Sequence, residues 1–396
     1  MVCTPLDTYD CAVIGIGKLG LCWALTLEKS GLSVVGVDIQ QSYVDIINQR
    51  TYSSTEPGLE ESLKASEKLY ATTDLADSLS KTSLVFILVA TPTSGSGTTF
   101  YDHSYLSDLL VKLNALKLKG KDIVICSTVM PGYIRNIASM LLADCEDTTL
   151  SYNPAFVAQG DVMEGYGNGG WFGMVVLGAA NDRVAEILEE IYRRISTNSD
   201  LAVCRMTPES GEVCKLASNC FRTTKISFAN MIGDIADRTP GADKHEIASA
   251  LSKDRSIGPI CIRPGYGYGG PCYVRDNKAL SIHARSIGIE AMLANATDSY
   301  NDAHHVHMAQ ELADKNLERY VFEDVTYKPN MKVPMIDNSP KLDVALKLAK
   351  LGKQVRIRDR YEVVLEVMKE YGNVFEYETV SASVAVTDEA SKDKAY

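Results

Sequence analysis

The chain opens with short, nearly unbroken apolar runs separated by stretches in which apolar residues recur every three or four positions. CAVIGIG (11–17), SVVGVD (33–38), SLVFILVATPT (83–93) and DIVICST (122–128) are rich in β-branched residues and close on turn signals. They predict strands buried on both faces. LGLCWALTLEKSG (19–31) carries the helical period, with Gly31 placed to end it. Buried strands alternating with helices make βαβ units, so the first 150 residues predict a doubly wound parallel sheet. WFGMVVLGA (171–179) predicts a further strand.

The pattern changes near residue 208. Helical periods run over 208–237 and 276–316, and the stretch 256–270 between them is loop-like. Beyond about residue 317, strand-like RYVFEDV, helical KLDVALKLAKLG, strand-like KQVRIRD and another helix follow, a second and smaller α/β unit. The polar tail TDEASKDKAY is expected to fray. No short-period repeat or low-complexity segment interrupts this order. The expected division is 1–207, 208–316 and 317–396.

Composition narrows the class. The 396 residues are 45% hydrophobic and 23% charged, an ordinary globular balance that excludes collagen-like, coiled-coil and disordered chains. Forty basic residues against 51 acidic ones leave a net charge of −11, which argues against nucleic acid or an anionic membrane as partner. MVCTPLDTYDCAVIGIG has no basic region ahead of its apolar stretch and so is not a signal peptide. No apolar run approaches the roughly 18 residues of a membrane span. The ten cysteines, at 3, 11, 22, 126, 145, 204, 214, 220, 261 and 272, form no CxxC pair. A reducing, cytoplasmic setting with most thiols acting as small buried hydrophobes is expected. Among the six histidines, His304 and His307 share a helix face without a ligand set beside them, so a solvated face and no metal is expected.

Two segments carry chemistry. Gly15-Ile16-Gly17-Lys18-Leu19-Gly20 follows an apolar strand and opens a helix, where glycines permit a tight turn and close backbone approach to a pyrophosphate facing the helix N-terminus. Asp38 closes the second predicted strand, 18 residues beyond Gly20, where a carboxylate accepts hydrogen bonds from ribose hydroxyls and repels a 2′-phosphate. NAD is therefore the expected cofactor rather than NADP. The second segment is RPGYGYGGPCYVRD (263–276). Its glycines let backbone approach a ligand, and Pro271 suits the start of a helix, placing Cys272 in the first turn, where the dipole favours thiolate. Asp276 falls one turn further along the same face. A dehydrogenase with a reactive thiol points to oxidation past the aldehyde, through a thiohemiacetal and a thioester.

These segments resemble the UDP-glucose/GDP-mannose dehydrogenase family. So do STEPGLEE (54–61), VATPT (89–93), STVMPG (127–132), YNPAFVAQG (152–160), EVCKLASNCF (212–221) and YKPN (327–330), in the family's order along nearly the whole chain. The resemblance implies an α/β protein with an N-terminal Rossmann domain, a helical middle domain with a long dimerisation helix, and a C-terminal Rossmann-like domain holding the nucleotide-sugar. It implies Cys272 as nucleophile, Lys215 and Asn219 as the helical pair facing a developing oxyanion, Asp276 as the following carboxylate, and Thr128 as the threonine that helps place water. It also implies cofactor contacts from Thr91, Thr93, Thr128 and Arg275. Substrate contacts would come from Phe156, Val157, Gln159, Lys215, Asn219, Arg255, Gly265, Tyr268, Gly269 and Lys328. The partners implied are a nucleotide-sugar and a second copy of the chain.

Several positions depart from the family pattern. The glutamate that serves as general base for thioester hydrolysis is Ala155, and a second acid four residues on is Gln159. Arg255 stands one residue early in DRSIG (254–258), Asp337 replaces an arginine before Ser339, and Arg275 replaces a lysine. Oxidation of UDP-glucose to UDP-glucuronate is the leading expectation. A GDP-mannose or UDP-N-acetylhexosamine dehydrogenase, a dehydrogenase that stops after one oxidation, and a catalytically impaired binding homologue remain as alternatives.

Overall fold

The computed structural model describes residues 5–94, 100–170 and 173–380. The chain forms two compact units, Met1–Lys215 and Leu216–Tyr396. In the first, eight strands make one sheet: β1 (Cys11–Ile14), β2 (Val34–Val37), β3 (Leu69–Thr72), β4 (Leu84–Ile87), β5 (Asp122–Ile125), β6 (Thr149–Tyr152), β7 (Met174–Gly178) and β8 (Ala202–Met206). Their order is β3-β2-β1-β4-β5-β6-β7-β8. Strands β1 to β6 pair in parallel, β7 meets β6 antiparallel through Tyr152 and Gly178, and β8 runs parallel to β7. Every residue of β1, β2, β4 and β5 is buried, as their uninterrupted apolar runs require of strands covered on both faces. One cover is built around Trp23, whose ring lies against Phe86, Tyr166 and Tyr192; the other gathers Leu110, Ile123, Tyr133 and Tyr152. The strand order reverses between β1 and β4, so a crevice opens at their carboxyl ends.

The second unit takes over within the helix Pro208–Asp237, which is followed by helices Lys244–Lys253, Gly270–Ser286 and Met292–Asp314. A three-stranded parallel sheet closes the chain, with β9 (Tyr320–Glu323), β10 (Val355–Arg360) and β11 (Glu376–Val380) in the order β11-β10-β9. Helix Pro340–Lys350 packs Leu342 and Leu348 over it, and Ala309 and Ala313 of helix Met292–Asp314 join the same core.

The helical period predicted over 276–316 is two helices. Gly288, at φ +79, turns the chain between Ser286 and Met292. β3, β6, β8 and β11 were not among the strands expected from the sequence; β8 and β11 have no fully buried residue. Trp171 and Phe172 of the predicted strand, Cys3 and the polar tail 387–396 lie outside the described residues. Among the described residues, no helix is long and apolar enough to cross a membrane.

Candidate active site

The glycine turn leaves β1 at the crevice. Gly15 adopts φ +86 and its N–H donates to the Val37 carbonyl at 2.8 Å. A Cβ on Gly20 would stand 1.9 Å from the Gly15 carbonyl oxygen, so the strand and the helix Lys18–Lys29 can come this close only with glycine there. Gly17 caps that helix at an ordinary φ of −57 without a side-chain cap, and a Cβ on it would meet no protein atom within 4 Å. Internal packing therefore does not require glycine at 17. What bare backbone at a helix N-terminus does provide is close approach for an outside phosphate, so these residues fit a dinucleotide. Ile16 is buried, its carbonyl accepts the Tyr43 hydroxyl, Leu19 is exposed, and Lys18 Nζ donates to Gln159 Oε1 at 3.3 Å. Asp38 follows β2 directly, half-buried, with a carboxylate oxygen 3.2 Å from the Gln40 N–H.

Loops at the carboxyl ends of β4 and β5 are tied to each other. Thr91 Oγ1 donates to the Thr128 carbonyl at 2.7 Å, and Ser127 Oγ donates to the Val89 carbonyl at 2.6 Å. Thr93, exposed, bridges to Tyr101. The structure thus brings Thr91 and Thr128 together on the edge where the glycine turn begins. Behind Thr128, the fully buried Glu212 accepts the N–H groups of Gly132 at 2.6 Å and Ile134 at 2.8 Å. Burial raises its carboxyl to about 7, with nearby Glu209 adding to the rise and the two N–H bonds opposing it.

The segment 153–160 after β6 is anchored by polar side chains. Asn153 donates to the Val176 carbonyl and accepts from the Tyr192 hydroxyl, while buried Glu56 accepts the N–H groups of Gly160 and Val162 at 2.9 and 2.7 Å. Lys215 is not a surface lysine. It is 6% exposed, its Nζ donates to the Ala155 carbonyl at 2.9 Å, and it lies 4.5 Å above the Phe156 ring. Val157 and Gln159 are half-buried in the same segment. Glu56 and Glu212 were not singled out from the sequence. Their signal was present, since each stands in a quoted motif, but nothing local shows that a carboxylate will accept backbone N–H groups from a distant loop.

In the second unit, helix Gly270–Ser286 starts at Gly270, so Pro271 is its second residue and Cys272 lies in its first turn, capped by Gly269 backbone. Cys272 is the one exposed cysteine among the nine described. Elsewhere burial pushes thiols up, that of Cys22 to about 12. One turn on, Asp276 is 1% exposed and accepts the Asn219 amide at 2.7 Å; Asn219 in turn accepts from Arg222 at 3.1 Å. Arg275 is half-buried on this helix. The loop entering it is fastened along its length. Gly265 N–H donates to Asn230, Tyr268 N–H donates to Asn301, and Gly270 N–H donates to the Asp337 carbonyl at 3.0 Å. Gly267 lies so close to His305 and Asn301 that a Cβ would come within 2.3 Å of both. Tyr268 and Gly269 are buried, whereas Gly265 is exposed. Arg255 is exposed in the turn after helix Lys244–Lys253, and Lys328 is half-buried in the loop after β9.

The histidines do not form the solvated face expected of them. His304 and His305 are buried, and each of the three meets a different carboxylate: His304 with Asp234 at 2.9 Å, His305 with Asp343 at 2.6 Å and His307 with Glu311 at 3.0 Å. The carboxylates come from segments that the sequence pattern of one helix cannot show.

A doubly wound sheet with a bare glycine turn at its switch point and a carboxylate closing its second strand fits a dinucleotide-binding domain. The match to the NAD binding domain of a dehydrogenase family makes the class that of NAD-dependent oxidoreductases. The chain belongs to the UDP-glucose/GDP-mannose dehydrogenase family: residues 9–196 match its NAD binding domain and residues 209–303 its central domain. It is 31% identical over 299 residues to a GDP-mannose 6-dehydrogenase of Pseudomonas savastanoi pv. phaseolicola, covering 72% of this chain and 66% of that one. A UDP-glucose 6-dehydrogenase of Bacillus subtilis is 28% identical over 396 residues, covering 94% and 86%. The structure of a UDP-glucose dehydrogenase from Pyrobaculum islandicum superposes with a TM-score of 0.81 at 26% identity, covering 94% and 87%.

Proposed function

We propose that this chain oxidises the C6 alcohol of a nucleotide-sugar to the carboxylic acid, removing four electrons per sugar, with UDP-glucose as the first substrate to test. The observation that carries this reading is Cys272, exposed in the first turn of a helix with buried Asp276 one turn behind it. A helix N-terminus favours thiolate, the form that adds to a carbonyl. The likeness to a UDP-glucose dehydrogenase structure favours UDP-glucose, and the similarity to a GDP-mannose enzyme makes GDP-mannose the second substrate to test.

Two molecules of NAD, bound one after the other at the same site, would each accept one of the two hydrides that the reaction removes. The chain's own residues do the rest. The Gly15–Gly20 turn, with Ile16, Lys18 and Leu19, presents backbone N–H groups to the pyrophosphate, and Asp38 accepts from the ribose. Thr91, Thr93, Thr128 and Arg275 complete the cofactor contacts. Cys272 sulfur bonds to the aldehyde carbon while the carbonyl oxygen takes a proton. At the thioester stage, water adds to the same carbon, the C–S bond breaks and the thiolate leaves with release of the acid. Lys215 and Asn219 donate to the oxyanion that forms at each addition. Asp276 and Thr128 position the water. Phe156, Val157, Gln159, Arg255, Gly265, Tyr268, Gly269 and Lys328 hold the nucleotide-sugar. The three-part division 1–207, 208–316 and 317–396 assigns cofactor, dimerisation and nucleotide-sugar binding in turn. Phe221, Phe228 and Ile235, exposed at seven-residue spacing on helix Pro208–Asp237, support a homodimer built on that helix. The cysteines and the absence of a membrane-length apolar helix among the described residues support a cytoplasmic enzyme.

Ala155 stands where the family carries its hydrolytic base, so thioester hydrolysis is the slow step. NADH production across a panel of UDP- and GDP-sugars tests the reading. Two NADH per sugar and a sugar adduct on Cys272 in intact-mass spectra during turnover are expected, and Cys272→Ser should form no acid. One NADH per sugar, or acid formation by Cys272→Ser, would overturn it.

A further inference from the structure

His304 spans from helix Met292–Asp314 to the loop that leads into Cys272. Its Nδ1 lies 2.9 Å from Asp234 Oδ2, and its Nε2 lies 2.8 Å from the Gly265 carbonyl oxygen. A carbonyl can only accept, and an ionised carboxylate can only accept. Both bonds therefore exist together only when the ring carries two protons. A neutral ring that kept its bond to Gly265 would turn a lone pair toward Asp234.

The surroundings favour the doubly protonated ring. Burial opposes its charge, but Asp234, the Gly265 carbonyl and Glu311 outweigh that and raise the histidine above its ordinary value. Burial likewise opposes ionisation of Asp234, yet hydrogen bonds from His304 and Tyr300 hold it below its ordinary value. Arg238 on the helix of Asp234 is engaged with His307 Nδ1 at 3.0 Å, and His307 meets Glu311. Lys244 is paired with Asp237 at 2.7 Å, and His305, on the far side, is paired with Asp343. The pair also borders an open cavity of about 560 Å³ lined by Asp234, Arg238, Tyr300, His304 and His307, so water and protons reach it.

We propose that His304, held as imidazolium by Asp234, is a positioning residue that clamps the Gly265 end of the Cys272 loop and releases it on deprotonation. Asn230 binds the N–H of Gly265 while His304 binds its carbonyl, so the two helices that flank the loop grip one residue from opposite sides. Asn301 and the Asp337 carbonyl hold the loop further on and do not titrate in this range. The sign follows from the direction of the shift: the clamp is complete below the histidine's ordinary range and is lost as pH rises through its raised titration in the folded chain. The proposal rests on the reading of Cys272 as the nucleophile only in what it means for turnover. The clamp itself is a property of the loop.

The test uses hydrogen–deuterium exchange of the full wild-type chain from pH 6 to 9, corrected for intrinsic exchange, on peptides covering 263–272. A charged hydrogen bond of this kind should give the loop roughly tenfold or more protection below the transition, lost above it. Site-resolved alkylation of Cys272 by iodoacetamide should show the same transition superimposed on thiol ionisation. His304→Gln, which keeps a donor without a charge, should remove the transition from both readouts and, in turnover, change kcat and its pH profile while leaving the KM for NAD in place. Asp234→Asn should move the transition to lower pH. Loop protection independent of pH in the wild-type chain, or a transition that survives in His304→Gln, overturns the proposal. If the transition is present and no nucleotide-sugar is oxidised, the functional reading falls and the clamp stands.

Discussion

Glu212 offers the sharpest quantitative test in the N-terminal unit. Its carboxyl is fully buried and raised from 4.5 to about 7, although two backbone N–H groups point at it. The folded state thus holds this proton more tightly than the unfolded chain does. The stability it contributes is fully present below about pH 4.5 and is lost as the pH rises through about 7. Over that window the difference amounts to about 3 kcal/mol. Glu212→Gln keeps the shape and removes the titration. Urea unfolding of both proteins at pH 5 and pH 8 isolates the effect, because every other group titrates alike in the two. Trp23, buried in the core of the unit Met1–Lys215, reports its unfolding by fluorescence. Between pH 5 and pH 8 the stability difference should change by about 3 kcal/mol in favour of the glutamine. At a slope of about 3 kcal/mol per molar urea, that moves the midpoint by about 1 M. A difference that stays constant would mean that burial does not govern this group. One that grows in favour of the wild type would mean that the bonds to Gly132 and Ile134 outweigh desolvation, and the reasoning would be wrong in sign.

Gly20→Ala should force the Gly15 carbonyl away from a Cβ only 1.9 Å distant, destabilising the first unit by about 1–3 kcal/mol and abolishing the rise in melting temperature that NAD produces. An unchanged thermal shift with NAD would remove the turn from the cofactor site. Ala155→Glu should restore a general base and speed acid release by about 10²–10⁴-fold, with the Cys272 adduct disappearing from intact-mass spectra taken during turnover. An unaltered rate, with the adduct still present, would show that the missing base does not limit the reaction.

The alternation of strand and helix, the glycine turn and the start of the cysteine helix were all legible along the chain, because each depends on neighbours a few residues away. A run of buried β-branched residues, a φ of +86 at Gly15 and a proline beside Gly270 need no distant partner to act. The local pattern also placed Cys272 in the first helical turn and Asp276 one turn further on.

Which polar side chains are buried, and by what, was decided elsewhere. Lys215 reads as one face of an amphipathic helix until the Ala155 carbonyl and the Phe156 ring fold over it. Asp276 and Asn219 are 57 residues apart in sequence and 2.7 Å apart in space. His304 looks solvated in a helical projection because that projection contains neither Asp234 nor Gly265. Hydrophobic period and turn chemistry act over a handful of bonds. The charge state and reach of a polar group instead depend on which remote segments displace water around it, and only the assembled tertiary structure supplies them.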